Sequence, residues 1–283
     1  MPNISYLGPE NTNAHFAARK KFLKAKYVHA PTVEDVFRSV EREQADYGVV
    51  PIENSLEGAV THTLDRFIDF RKSPVRIWGE IELPIQHCLI TRPEIPADTI
   101  RVIYSHPQAL AQCRTWLEKH YPRVTRRERD STAEAIKDLF DEKEKFWDMG
   151  ERAAIGRLEL AKDHGLKAIP IPIDQENRTR FFVISLQVPK RSKRSKTSIM
   201  VALKDKPGAL YDALMPFKKN RINLTKIESR PTKRKAWEYV FFIDFEGHET
   251  DFEVEKALEE LKSSVVDFKV LGSYPVGKEY GRD

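Results

Sequence analysis

Several chemistries are missing from this sequence, and each absence excludes a class of function. None of its 12 glycines forms a GxGxxG fingerprint or a phosphate-binding loop, which argues against a nucleotide cofactor. The eight histidines show no HxxxH and no His/Cys grouping at ligand spacing, so no metal is expected. There is no GxSxG elbow, and the adjacent Ser105 and His106 make no triad. The two cysteines, Cys88 and Cys113, lie in apolar stretches with no CxxC. They read as small core residues rather than a disulfide or a nucleophile. No apolar run approaches the ~20 residues of a membrane span. The first residues carry no basic-then-apolar leader, so a reducing cytoplasm is the expected compartment.

What is present is a globular composition: 40% hydrophobic and 32% charged over 283 residues. Net charge is +5, which taken alone would suggest a polyanionic partner. Its location argues otherwise. Residues 1–189 carry 28 bases and 28 acids, and residues 197–283 carry 15 of each. The whole excess sits in Lys190-Arg191-Ser192-Lys193-Arg194-Ser195-Lys196. That stretch reads as a basic linker between two neutral modules. No basic helix or interleaved aromatics accompany it, so nucleic acid is not expected as a partner.

Before the linker, strands alternate with helices. Asn3–Leu7, Tyr27–Ala30 and 47–50 read as strands, with helices over 14–24, from Thr32, and over 59–70. A similar unit follows: strand 101–104, one helix over 107–120, strand 124–126, a helix from Ser131 and strand 153–155. Thr32 to Asp35 and Ser131 to Glu134 have capping-box spacing. Ser105, Pro107 and Gln108 read as another helix start. The pattern predicts two α/β lobes, about 1–78 and 79–175, with the chain returning to the first over 176–189. A ligand is expected in the cleft between them. After the linker the order is βαββαβ, a ferredoxin-like module with helices on one sheet face. Its strands are expected at 198–203, 223–229, 237–245 and 268–271, with a polar turn over 231–235. Its edges and open face are expected to be free for pairing with a second copy.

Polar residues gather at the predicted loop–helix junctions: Asn54, Ser55, Thr61, Ser105, Gln112, Thr179 and Arg180. Hydroxyls, amides and guanidinium with few carboxylates suit a small anion, most simply a carboxylate. At these residues the chain resembles a known family. Tyr47–Glu57, Ser105–Cys113 and Asn177–Phe181 look like prephenate dehydratase, a two-lobed, periplasmic-binding-protein-like α/β fold. Pro207-Gly208-Ala209-Leu210 and Ile227-Glu228-Ser229-Arg230-Pro231 look like its ferredoxin-like ACT regulatory domain. The match runs from about residue 4 to 274, and no chorismate mutase part precedes it.

The resemblance implies an enzyme of phenylalanine biosynthesis that converts prephenate to phenylpyruvate, water and carbon dioxide without a cofactor. It implies Thr179 as proton donor to the departing hydroxyl, assisted by Ser105 and Gln112, and Arg180 as a carboxylate anchor. Asn54, Ser55, Thr61 and Thr12 become substrate contacts, and Phe181 a packing residue. Gly208, Ala209, Leu210, Glu228, Ser229, Arg230 and Pro231 become the phenylalanine site of a homodimer or homotetramer. Arogenate dehydratase and a non-catalytic two-lobed aromatic-acid binder are the alternative readings. Two positions depart from the family: its first loop usually reads Gly-Pro-x-Gly-Thr-Phe-Ser, against Gly8 to Ala14 here, and Arg157 replaces a small residue.

Overall fold

The computed structural model describes residues 1–140, 151–172, 176–232 and 238–277. Residues 233–235 of the expected polar turn and Trp237 at the start of the expected strand lie outside the described residues. The chain begins β1 (Asn3–Leu7), α1 (Asn13–Lys21), β2 (Lys26–Ala30), α2 (Val33–Glu41), β3 (Tyr47–Asn54), β4 (Gly58–Ala59), α3 (Thr61–Asp69), β5 (Arg76–Pro84). It continues β6 (Cys88–Thr91), β7 (Ile100–Ser105), α4 (Pro107–Gln112), α5 (Arg114–His120), β8 (Thr125–Glu128), α6 (Thr132–Lys137), β9 (Glu151–Gly156), α7 (Leu158–Asp163), β10 (Lys167–Pro170). After β11 (Arg178–Ser185) come β12 (Ser195–Ala202), α8 (Ala209–Lys219), β13 (Leu224–Pro231), β14 (Tyr239–Glu246), α9 (Phe252–Ser264) and β15 (Asp267–Pro275).

These elements form two compact units. One joins Met1–Pro9, Ala14–Leu83 and Thr179–Asp283; the other joins Glu10–Asn13 and Pro84–Arg178. The first unit contains a mixed sheet in the order β2-β1-β3-β11-β5, with β4 beside β3. Strands β1, β2 and β3 run parallel, as βαβ connections require, while β11 returns antiparallel to β3. Helix α2 starts at Thr32, whose hydroxyl oxygen accepts from the Asp35 amide, the cap that the spacing predicts. The buried face of this helix carries Val33, Val36, Phe37 and Val40.

The same unit holds an antiparallel sheet, β13-β14-β12-β15. Helices α8 and α9 cover one face through Phe217, Val254, Leu258 and Leu261. Its other face is not open, contrary to the sequence expectation. Met200, Ala202, Val240, Phe242, Leu271 and Tyr274 share one core with Val50, Ile52, Ile77 and Phe182 of the first sheet. Apolar alternation on both faces of β12 and β14 left no hydrated side to expose, so that face docks within the unit. The basic linker is likewise shorter than expected. Ser195 and Lys196 are already in β12, and Arg191 pairs with Asp251.

The second unit has the order β10-β6-β9-β7-β8, with β8, β7 and β9 parallel and β6 and β10 antiparallel additions. Ser131 caps α6 by accepting from the Glu134 amide. The single helix expected over 107–120 is two, broken at Cys113, where ψ is 4°. Its cap is His106, whose Nδ1 accepts from the Gln108 amide, not Ser105, which is the last residue of β7. Both cysteines are buried and unpaired. Burial, with Cys88 adjacent, pushes the Cys113 thiol up to about 12, so it packs as a small hydrophobe.

The docking of the two sheets in the first unit depends on Gly272. A Cβ there would fall 2.2 Å from the Ile77 carbonyl oxygen, and backbone cannot yield as a flexible side chain can. Gly272→Ala is expected to lower unfolding free energy in urea by about 3 kcal/mol, the upper range for overpacking. A loss below about 1 kcal/mol would show that the approach of β15 to β5 is less close than described.

Candidate active site

The residues singled out in the sequence divide between the two units, and each unit holds a distinct polar cluster. In the first unit, Asn54 and Thr179 are register partners on β3 and β11. Asn54 Oδ1 accepts from the amides of Leu56 and Glu57, at 3.0 and 3.3 Å. That local turn fixes the carboxamide, so its Nδ2 faces Thr179 and donates to Oγ1 at 3.0 Å. Thr179 therefore accepts through its oxygen and keeps its own O–H to donate. Its hydroxyl is polarised by a fixed neighbour, as a hydrogen-bond donor to a developing negative charge should be. Ser55 is exposed on the turn after β3, and Thr61 is the first residue of α3.

Arg180 corrects an expectation. Adjacent residues in a strand point to opposite faces, so Arg180 turns from Thr179 toward Phe182, with its guanidinium 5.0 Å from that ring. It is 8% exposed, and every nitrogen has a partner. Nε donates to Glu80 Oε2 at 2.7 Å, and Nη2 to the Tyr274 hydroxyl at 3.1 Å. Nη1 lies 2.8 Å from Asp244 Oδ2, a close ionic contact rather than a well-aligned hydrogen bond, and 3.7 Å from Glu53. A guanidinium held in these contacts and 8% exposed is turned to the fold rather than presented to a substrate carboxylate.

Glu80 is fully buried and also meets Lys196 at 3.0 Å and the Gly277 amide at 2.8 Å. Burial alone would raise its carboxyl; Arg180 and Lys196 overcome that and hold it below its ordinary value. Burial pushes the Tyr274 phenol well above its ordinary value, Asp244 adding to the effect and Arg180 opposing it. The neutral phenol accepts from Arg180 and donates to Ser198 Oγ at 2.7 Å, while Ser198 donates to Asp244 Oδ1 at 2.6 Å. Glu53, Glu80 and Asp244 were not singled out in the sequence. Nothing local distinguishes them from solvated acids.

In the second unit, Gln112 Oε1 accepts from two donors, His87 Nε2 and Asn177 Nδ2, both at 2.8 Å. Gln112 thus joins an amide cluster. Ser105 does not reach it. It is fully buried and gives its hydrogen to the Ile155 carbonyl at 2.8 Å, so its part is to tie β7 to β9, and the expected role beside the substrate is withdrawn. The two departures from the family meet each other. Arg157, itself buried, donates through Nη1 to Asn13 Oδ1 at 3.1 Å and through Nη2 to the Pro84 carbonyl. Asn11 takes the left-handed φ of 65° that glycine would otherwise supply. Thr12 follows it in the same loop.

His87 was also missed, since nothing among its sequence neighbours Ile85, Gln86, Cys88 and Leu89 marks it for a site. Because Nε2 must carry the proton given to Gln112, the buried Nδ1 is the bare nitrogen, with no hydrogen-bond partner among the described residues. Burial pushes its pKa down, with Gln112 opposing and the nearby Arg157 charge adding to the fall.

In the C-terminal sheet, Gly208 caps α8 at φ 79°. A Cβ there would meet nothing within 4 Å, so glycine serves the backbone conformation and not space. With Ala209, Leu210, Tyr239 and Phe241 it lines a cavity of about 650 Å³. Ser229 and Pro231 are register partners of Phe241 and Tyr239. Arg230 is tied to Asp65 of α3 at 3.1 Å, which removes it from the expected effector contacts, while Glu228 is half-buried between Lys226 and Arg230 on the same strand face.

Comparison with known proteins agrees with this architecture. Residues 4–188 match prephenate dehydratase and residues 197–263 the ACT domain. A bifunctional chorismate mutase/prephenate dehydratase of Aquifex aeolicus is 46% identical, over 96% of this chain and 73% of its own. Arogenate dehydratase/prephenate dehydratase 2 of Arabidopsis thaliana is 34% identical, over 96% of this chain and 72% of its own. The crystal structure of an Arthrobacter aurescens prephenate dehydratase in complex with L-Phe superposes with a TM-score of 0.86. It is 33% identical over 96% of this chain and 90% of its own. The chain belongs to the prephenate dehydratase family and carries an ACT regulatory domain. Among the described residues no helix is long and apolar enough to cross a membrane.

The His87 arrangement predicts a pH effect on stability. A native imidazole that resists protonation binds fewer protons than the unfolded one. Its stabilisation is therefore full above the unfolded value of about 6.5 and is lost as pH falls below it. Urea unfolding between about pH 7.5 and pH 5.5 should show a larger loss for the native protein than for His87→Gln. Parallel losses would mean that His87 is not held neutral by its surroundings.

Proposed function

We propose that this protein is a carbon–oxygen lyase that converts prephenate to phenylpyruvate, carbon dioxide and water, under feedback from phenylalanine. The observation that carries the reading is the Asn54–Thr179 hydrogen bond, which leaves Thr179 Oγ–H as a positioned donor. The ring carboxylate leaves as carbon dioxide, its electron pair entering the ring. The ring hydroxyl then departs, taking a proton to become water. The dianion consumes one proton and yields the phenylpyruvate monoanion, so the balance needs an acid but no base, metal or redox partner. Thr179 supplies the hydrogen bond or proton at the leaving oxygen, and aromatisation drives the rest. Ser55, Thr61, Gln112 and Thr12 are read as substrate contacts.

Arogenate, with an amine where prephenate has a keto group, is the second substrate to test, since the Arabidopsis relative is named for both. Phenylalanine is read as bound by the Gly208–Leu210 turn and β13, the α8 N-terminus meeting its carboxylate and Ser229 lying on the cavity face of the strand, opposite to Glu228. The edge strand β13, with Ile227 exposed, is read as the pairing surface for a second copy. The two unpaired cysteines suit a cytoplasmic setting.

Purified protein supplied with prephenate should form phenylpyruvate, and added phenylalanine should slow it. Thr179→Ala is expected to lower kcat by about 10²- to 10⁴-fold with KM changed by less than about threefold. Wild-type kcat in that variant would remove Thr179 from the mechanism. For the effector, Gly208→Val forces a β-branched residue to positive φ and should blunt inhibition while sparing basal turnover. Inhibition that persists unchanged would place the effector elsewhere.

A further inference from the structure

The ion pairs around Arg180 have an order that the proposed reaction does not by itself require. On β3 and β11, the pair next to Asn54–Thr179 is Glu53–Arg180. On β13 and β14, Lys226 and Asp244 are likewise partners in register. The two pairs cross-link: Lys226 bonds Glu53, and Asp244 bonds Arg180. Two opposite charges of the ACT sheet thus grip two opposite charges of the catalytic sheet, one residue from the Asn54–Thr179 bond. Tyr274 and Lys196, from β15 and β12, complete the enclosure at Arg180 and Glu80.

We infer that Glu53 and Arg180 are positioning residues through which the ACT sheet sets the alignment of Asn54 with Thr179. This rests on the reading that Thr179 acts on the substrate, and it names how the regulation of that site is carried. The reason is geometric. Lys226 lies on β13, two residues before Glu228, so a ligand that shifts β13 moves Lys226 and, through the ladder, Asp244. Their partners Glu53 and Arg180 are bonded to the backbones that carry Asn54 and Thr179. A displacement of tenths of an ångström at the clamp is enough to misalign a hydrogen bond. Buried charges that must stay paired resist a continuous range of intermediate positions. An effector acting this way changes kcat rather than substrate affinity, because the substrate's contacts are not withdrawn.

The test uses the full chain and the variants Lys226→Met, Asp244→Asn and Tyr274→Phe, with prephenate as substrate and L-phenylalanine as effector. The expected result is a kcat loss of several-fold with KM within about twofold of wild type. The phenylalanine concentration for half-inhibition should rise by about tenfold, or inhibition should be lost, while calorimetry still detects phenylalanine binding. Should Asp244→Asn fail to fold, Lys226→Met and Tyr274→Phe decide the matter. Inhibition at the wild-type midpoint and to the wild-type extent in those variants overturns the inference. So does loss of inhibition accompanied by loss of phenylalanine binding, which would make these residues part of the effector site. Absence of wild-type turnover on prephenate defeats the functional reading instead, and is seen before any variant is examined.

Discussion

A buried guanidinium is the constraint around which the first unit is organised. Removing an ion from water costs several kcal/mol, and that cost is offset only when each donor finds a well-placed partner. At Arg180 the partners are Glu80 and Tyr274, by hydrogen bonds, and Asp244, by a close ionic contact. Two of those partners come from the C-terminal sheet and one from β5. Apolar contact between the sheets supplies most of the driving force, but hydrophobic burial is non-directional. The ionic cluster fixes register: sliding either sheet by one residue would strand three carboxylates and three cations in an apolar core.

This changes the meaning of the ACT module in the chain. Viewed from composition and pattern it is a charge-balanced block on a basic tether, free to pair by its edges and its one open sheet face. In the structure one face is covered by α8 and α9 and the other by the catalytic sheet. The tether itself is partly drawn in, Lys196 serving as a counter-ion to Glu80. Regulation by such a module needs no long-range field or swinging domain. The regulatory and catalytic sheets already share a core, so a change in one must be accommodated by the other.

How much of this was legible beforehand follows from the range of each signal. Strand β1, helix α8 and the Thr32 and Ser131 caps were readable because periodicity and capping are local. The pairing of Asn54 with Thr179 was not legible, since their positions are 125 residues apart; the family resemblance named each residue but did not join them. Arg180 was misread for a related reason. A basic residue beside a threonine read as proton donor looks like a carboxylate anchor until strand alternation is applied, which puts neighbours on opposite faces. Ser105 failed the same way, since a serine at a strand–helix junction looks like a cap or a catalytic hydroxyl. Its complete burial is a property of the packed sheet, not of its neighbours in sequence. Glu80 and Asp244 carried no signal at all, because a buried acid is defined by partners far away in the chain.

The same alternation explains why one dipeptide can serve chemistry and architecture together. Thr179 and Arg180 share a backbone but not a face. One face holds a neutral hydroxyl tuned by a carboxamide, and the other a cation locked to three acids. Separating them leaves the guanidinium to its ion pairs and the hydroxyl to the Asn54 carboxamide. Joining them through one peptide makes the donor's position depend on the lock. On the proposed reading, an effector on β13 acts on a sheet that grips that lock from β14, and so alters catalysis without touching the substrate.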